Sequence, residues 1–196
     1  MDKQNKAVIT KEFQIHYIDT RINNSRPLEH FHDSFEIDYF IKADIHLFCK
    51  DKIYHLSDGD MLIIDEFSMH KITYTPEKEY SRFVVNFKRS FLEDVLKSLG
   101  LHNLLQGLSQ LENSSVNLSL KKRAEIQSGF QTLLQESGTL QTEPYSGAKI
   151  KLQLCKLLIN FSECLQRPSN EGAPNTRDLI AKKIIEYIDL NYMKPV

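Results

Sequence analysis

Residues 29–40, EHFHDSFEIDYF, set His30, His32 and Glu36 within seven positions at the head of a strand-like run. Side chains alternate between the two faces of a strand, so an inward Glu36 carries Asp38 and Phe40 inward with it. Ile37, Tyr39 and Ile41 then face outward, toward covering helices. One strand thus offers carboxylates to one side and an apolar surface to the other. The two histidines before it extend the polar side.

The flanking sequence carries the same period. FQIHYI sets Phe13, Ile15 and Tyr17 on one face and Gln14 and His16 on the other. EIDYFI, DIHLFC, KIYHL, DMLII, HKITYT and RFVVNF are short runs rich in Ile, Val, Phe and Tyr, separated by polar breaks such as KDK and SDGD. Such spacing predicts an antiparallel sandwich or barrel, and no helix-length segment fits between the runs to build βαβ units. We expect a mainly β plus α protein, with a β-domain over 1–89 that is a jelly roll or barrel. In RFVVNF, Arg82, Val84 and Asn86 share a face. If that face is the inner one, Arg82 or Asn86 completes a polar pocket with Asp38 and Glu36.

After KRS the period changes. SFLEDVLKSL reads as a helix capped by Ser90 and ended before Gly100. In LSLKKRAEIQSGFQTLLQES, Ile126, Phe130, Leu133 and Leu134 follow helical spacing. In AKIKLQLCKLLINFSECL, Ile150, Leu154, Leu157, Leu158, Phe161 and Leu165 form a stripe. Leu152, Cys155 and Ile159 widen that stripe, which suits either a helix buried in its own domain or one that also pairs with a second copy. We take 90–166 as a helical dimerisation region held through Leu152, Cys155 and Ile159. QRPSNEGAPN gives a linker at 167–175, and Thr176 caps one more amphipathic helix over 176–196. A lone helix past a linker has nothing to fold with, which suggests a chain cut at the start of another domain.

The 196 residues are 41% hydrophobic and 26% charged with a formal net charge of -1, which is ordinary globular composition. No basic excess marks the chain as a nucleic-acid binder, and no apolar run approaches the length of a membrane span. Cys49, Cys155 and Cys164 are odd in number and lack CxxC spacing, so we read reduced, cytoplasmic thiols.

HFHDSFEIDYFI, then KIYHLSDGDMLIIDEFSMH, then YSRFVVNFKRSFL, resembles the sensor domain of AraC/XylS-type transcription regulators. IAKKIIEYIDLNYMKPV is similar to the opening helix of that family's DNA-binding domain. The resemblance implies a cupin-like barrel for a small-molecule effector, a helical dimerisation element, and DNA contact only through helix-turn-helix motifs that would follow Val196. It implies no catalysis and no cofactor. Taking His30, His32, Glu36 and His70 from the cupin resemblance, and Asp38, Phe40 and Arg82 from strand parity, we expect these seven to bind the effector, with a sugar or sugar derivative favoured by the resemblance.

The cupin resemblance also brings a metal template of HxH, a glutamate four residues on and a later histidine. His30, His32, Glu36 and His70 fit it, and the set suits Fe(II), Mn(II), Ni(II) or Zn(II). Ala43, Asp65, Phe67 and Tyr74 depart from the two cupin motifs, so we expect little bound metal. A metal-dependent isomerase or dioxygenase using these four residues is the alternative.

Overall fold

The computed structural model describes residues 6–20, 29–49, 52–75, 78–110 and 115–166. The linker and terminal helix expected over 167–196 lie outside the described residues.

Eight strands come first: β1 (Lys6–Ile9), β2 (Phe13–Thr20), β3 (Phe35–Lys42), β4 (Asp44–Cys49), β5 (Lys52–Ser57), β6 (Asp60–Ile64), β7 (His70–Tyr74) and β8 (Tyr80–Phe87). Helices α1 (Arg89–Ser98) and α2 (Leu104–Gln110), strand β9 (Ser115–Asn117), and helices α3 (Leu120–Gly138) and α4 (Ser146–Gln166) follow. All pairings are antiparallel, in a six-stranded sheet ordered β1-β2-β8-β3-β6-β9 and a three-stranded sheet ordered β5-β4-β7.

The parity expected of β3 is what forms. Ile37 and Tyr39 join Phe83, Val85, Ile126, Phe130, Leu154 and Leu158 in one core, between the large sheet and the helices. Phe40 joins Leu62, Ile64 and Tyr80 against Ile45, Leu47, Leu56 and Ile72 of the small sheet in a second core. The two sheets therefore enclose an inner space, and the helices cover the outer face of the large one. Phe130 stacks on Tyr39 and Phe83, with centroids 5.6 and 5.5 Å away. Helices α3 and α4 approach closely at Gly129, where a Cβ would meet Leu157 Cδ2 at 2.8 Å, and Gln153 donates to the Gly129 carbonyl.

Several expectations change. The segment from 90 to 166 is not purely helical, because β9 pairs with β6 and extends the large sheet. Ser90 does not cap α1: Lys88 is the N-cap, and the Ser90 hydroxyl donates to Glu12 instead. Gly100 does end that helix, at a φ of 70° with its N–H on Lys97 O. Cys155 is 2% exposed inside the chain's own core. Leu152, at 59%, is on the surface, and Ile159 is half-buried. Cys155 is thus corrected to a core residue, because its side of α4 turns toward the bundle rather than away from it.

Candidate functional site between the sheets

Strands β2, β3 and β8 lie side by side, and their inward residues form one polar surface. Register pairs Glu36 with Asn86, Asp38 with Val84 and Phe40 with Arg82, while His16 sits beside Val84 and Gln14 beside Asn86 on the other flank. His30 and His70 come from elsewhere. Their backbones form a two-way bridge of 3.0 and 2.9 Å that ties residues 29–34 to the end of β7.

Glu36 is the hub of the outer end. His32 Nε2 lies 2.9 Å from its Oε2, and Asn86 Nδ2 donates to the same oxygen at 2.8 Å. Burial opposes the Glu36 charge, but the His32 and Asn86 bonds and the positive charge of Arg82 hold the carboxyl well below its usual range. Burial likewise opposes a charged His32, yet the bond to Glu36 and its negative charge raise the imidazole above its ordinary value. His32 Nδ1 sits 2.8 Å from Ser34 O and His70 Nδ1 2.9 Å from Ser68 O. A carbonyl only accepts, so both rings carry the Nδ1 proton and turn Nε2 toward Glu36.

His70 Nε2 is buried without a partner and faces Glu36 Oε1 across 4.0 Å. Burial lowers His70 and keeps it neutral, so its lone pair looks at a carboxylate. Two acceptors facing each other at that distance call for a donor or a cation between them.

Arg82 and Asp38 form the inner end. Arg82 Nη1 donates to Asp38 Oδ1 at 2.8 Å and lies 4.0 Å from Glu36 Oε1. Its guanidinium carbon sits 5.9 Å from the Phe40 ring centre and 5.8 Å from that of Tyr80. Burial pushes the Asp38 carboxyl up and the nearby Glu36 charge adds to this, against the pull of Arg82. The 2.8 Å bond from Arg82, whose guanidinium keeps its proton, favours the ionised form of Asp38 against that push. Only one of the possible bonds between them is made: Asp38 Oδ2, Arg82 Nε and Tyr80 Oη are all buried without partners.

All seven residues of the expected effector set belong to this space or its mouth. Glu36, Asp38, Phe40 and His70 are buried, Arg82 and His32 half-buried, and His30 exposed at the opening. Asn86, weighed above beside Arg82, is a direct partner of Glu36. His16 and Tyr80 join the set in the structure. The parity of β2 was sufficient to find His16, since Phe13 and Ile15 point to the helices. Tyr80 lies two residues before Arg82 on the same strand and shares its parity, so the same rule reaches it.

The donor set fits the metal template of the cupin fold at three imidazoles and one carboxylate. Nitrogen atoms of His30, His32 and His70 all lie within 4.8 Å of one another, and Glu36 faces two of these rings. With Nδ1 of His32 and His70 tied to carbonyls and His70 Nε2 open, these residues fit a divalent ion. Such an ion would act as a Lewis acid on an oxygen-bearing ligand. The motif departures at Ala43, Asp65, Phe67 and Tyr74 fall outside the four donors.

Fold and interior together define a cupin-type ligand-binding domain. Residues 12–158 match the family of AraC-like ligand binding domains, and the chain belongs to that family. Among solved structures, apo ToxT K231A from Vibrio cholerae strain SCE256 is 12% identical, with 91% of this chain and 66% of that one covered at a TM-score of 0.56. An RmlC-like cupin family protein with a double-stranded β-helix fold, from Methanocaldococcus jannaschii, is 19% identical. That match covers 50% of this chain and 87% of the other at a TM-score of 0.38. No curated protein matches by sequence. No helix among the described residues is long and apolar enough to cross a membrane.

Proposed function

We propose that this chain is the effector-sensing and dimerisation part of an AraC-type transcription regulator in the cytoplasm. It binds a small polar molecule between its two sheets, a sugar or sugar derivative being favoured, and thereby controls DNA binding by a further domain. It senses rather than catalyses.

One observation carries the reading. His70 Nε2, Asp38 Oδ2, Arg82 Nε and Tyr80 Oη, from β7, β3 and β8, are buried without partners. Each unmade bond costs about 1–3 kcal/mol if nothing fills it. The set is mixed: two acceptors, one donor and one hydroxyl that does either. A polyhydroxylated compound supplies both roles at neighbouring atoms, and Phe40 and Tyr80 offer ring faces beside them.

Dimerisation is proposed through exposed Leu152 and half-buried Ile159 on α4, since paired subunits match paired DNA half-sites. The convergence of His30, His32 and His70 favours the second reading, a metal-dependent cupin enzyme. Native mass spectrometry of the purified chain separates the two. A dimer carrying a non-covalent organic mass supports the sensor. A chain carrying close to one Fe, Mn, Ni or Zn, lost in His70→Ala, supports the enzyme.

A further inference from the structure

The Asp38–Arg82 pair is placed where it decides what charge a ligand can bring. Arg82 lies among Asp38, Glu36, Phe40 and Tyr80 between the sheets, and it would by itself attract carboxylates and phosphates. Asp38 occupies one of its Nη donors from the same sheet, and Glu36 stands 4.0 Å from that same nitrogen. A second acid entering this space would face two carboxylates for one guanidinium. An amine at Asp38 would stand beside the Arg82 guanidinium, and Glu36 Oε2 already takes bonds from His32 and Asn86.

What is left open is a neutral pattern. Arg82 Nε–H seeks an acceptor and Asp38 Oδ2 seeks a donor, both fully enclosed. An uncharged group with an acceptor and a donor on adjacent atoms satisfies both without adding charge. A primary amide does this, and so does a vicinal diol. A carboxylate satisfies Arg82 but turns its second oxygen toward Asp38.

We propose that Asp38 is a specificity-determining residue: by neutralising Arg82 it restricts the inner space to uncharged, hydrogen-bonding ligands and excludes sugar acids and sugar phosphates. The inference rests on the inner space being the effector site, and narrows the effector to its uncharged forms. Removing the Asp38 charge without changing its shape frees the guanidinium and turns the same space toward anions.

Acetamide and acetate are isosteres that differ in charge, which makes them suitable probes. Their binding is followed through the side-chain Nε–H signal of Arg82 in nitrogen-15 NMR at constant ionic strength, with the signal assigned by its loss in Arg82→Gln. In the parent chain, acetamide should move that signal at concentrations about tenfold or more below those at which acetate does. In Asp38→Asn the order should invert, with acetate the tighter probe. A parent chain in which acetate matches or exceeds acetamide overturns the proposal, whether or not the variant folds. So does a folded Asp38→Asn that keeps the parental order, and so does a parent in which neither probe moves the signal. If the probes behave as expected while uncharged sugars fail to bind, the charge rule stands and the sugar reading falls.

Discussion

The two faces of the large sheet share every backbone atom of β2, β3 and β8, yet they are opposite in chemistry. Outward, Ile37, Tyr39, Phe83 and Val85 meet Phe130 and the α3–α4 pair in an apolar core. Inward, one residue along each strand, Glu36, Asp38, Arg82 and Asn86 form a charged network in which several bonds are unmade. The outer face has every reason to stay as it is, because burial rewards it directly. The inner face holds buried polar atoms that stability alone would not select. A strand that alternates this way can do two jobs at once: its odd positions pack the fold, and its even positions are the ones proposed to receive a ligand.

This division is broken most severely from the outside. Phe130→Ala removes the ring on which Tyr39 and Phe83 both stack, and should cost about 3–5 kcal/mol in chemical denaturation. Affinity of the folded fraction for an inner-space ligand should not change. A large loss of affinity with little loss of stability would mean that the faces are not separable in this way.

Gly59 is the next point of attack, because it joins the faces. It sits in the β5–β6 turn at a φ of 84° and donates from its N–H to Phe40 O at 2.7 Å. An added Cβ would run into the side chain of Arg123 from α3, which itself bonds Leu118 O. Gly59→Ala should cost about 1–2 kcal/mol from backbone strain alone, read from the shift in denaturation midpoint. A neutral result would show that Arg123 swings aside and the turn relaxes.

Leu152→Glu with Ile159→Glu tests the surface of the outer layer. Leu152 is exposed, so its replacement should change protomer stability by no more than about 0.5 kcal/mol. Sedimentation velocity should show a dimer converted to a folded monomer. A parent chain that is monomeric at high concentration removes the dimer proposal, and an unfolded variant moves Ile159 into the protomer core.

The smallest effect is on the pH profile in chelator-treated buffer. His32 is raised in the folded chain, so its contribution is complete below the unfolded histidine value of about 6.5 and drains away as pH rises through the folded value. His70 is lowered, so its contribution is present above the unfolded value and is lost as pH falls through the folded one. His32→Gln should therefore flatten the alkaline side of the stability profile, by about a few tenths of a kcal/mol, and leave the acid side. Unchanged slopes on both sides would detach His32 from Glu36.

Much of this was legible in the sequence because period 2 is a strong signal when both faces are buried against something. The runs FQIHYI to RFVVNF fall within β2 to β8 almost residue for residue, and the parity of β3 named its inner set. Strand β9 was not legible: three residues between helices show no period, and only the free edge of β6 gives them a place. The depth of Cys155 depended on which way α4 rolls against α3, which the close approach at Gly129 decides. The orphaned atoms are a tertiary fact. Strand parity allows Arg82 and Asp38 to share the inner face, but does not show that they pair through one bond and leave the others open.

The central claim is that the polar inner face is where the effector binds. Isothermal titration calorimetry of uncharged sugars against the parent and Glu36→Ala tests it most directly. The account predicts that a sugar binding the parent binds Glu36→Ala at least about tenfold more weakly, the 1.5–3 kcal/mol expected for losing a charged hydrogen-bond partner. Equal affinity for the two folded chains would contradict it.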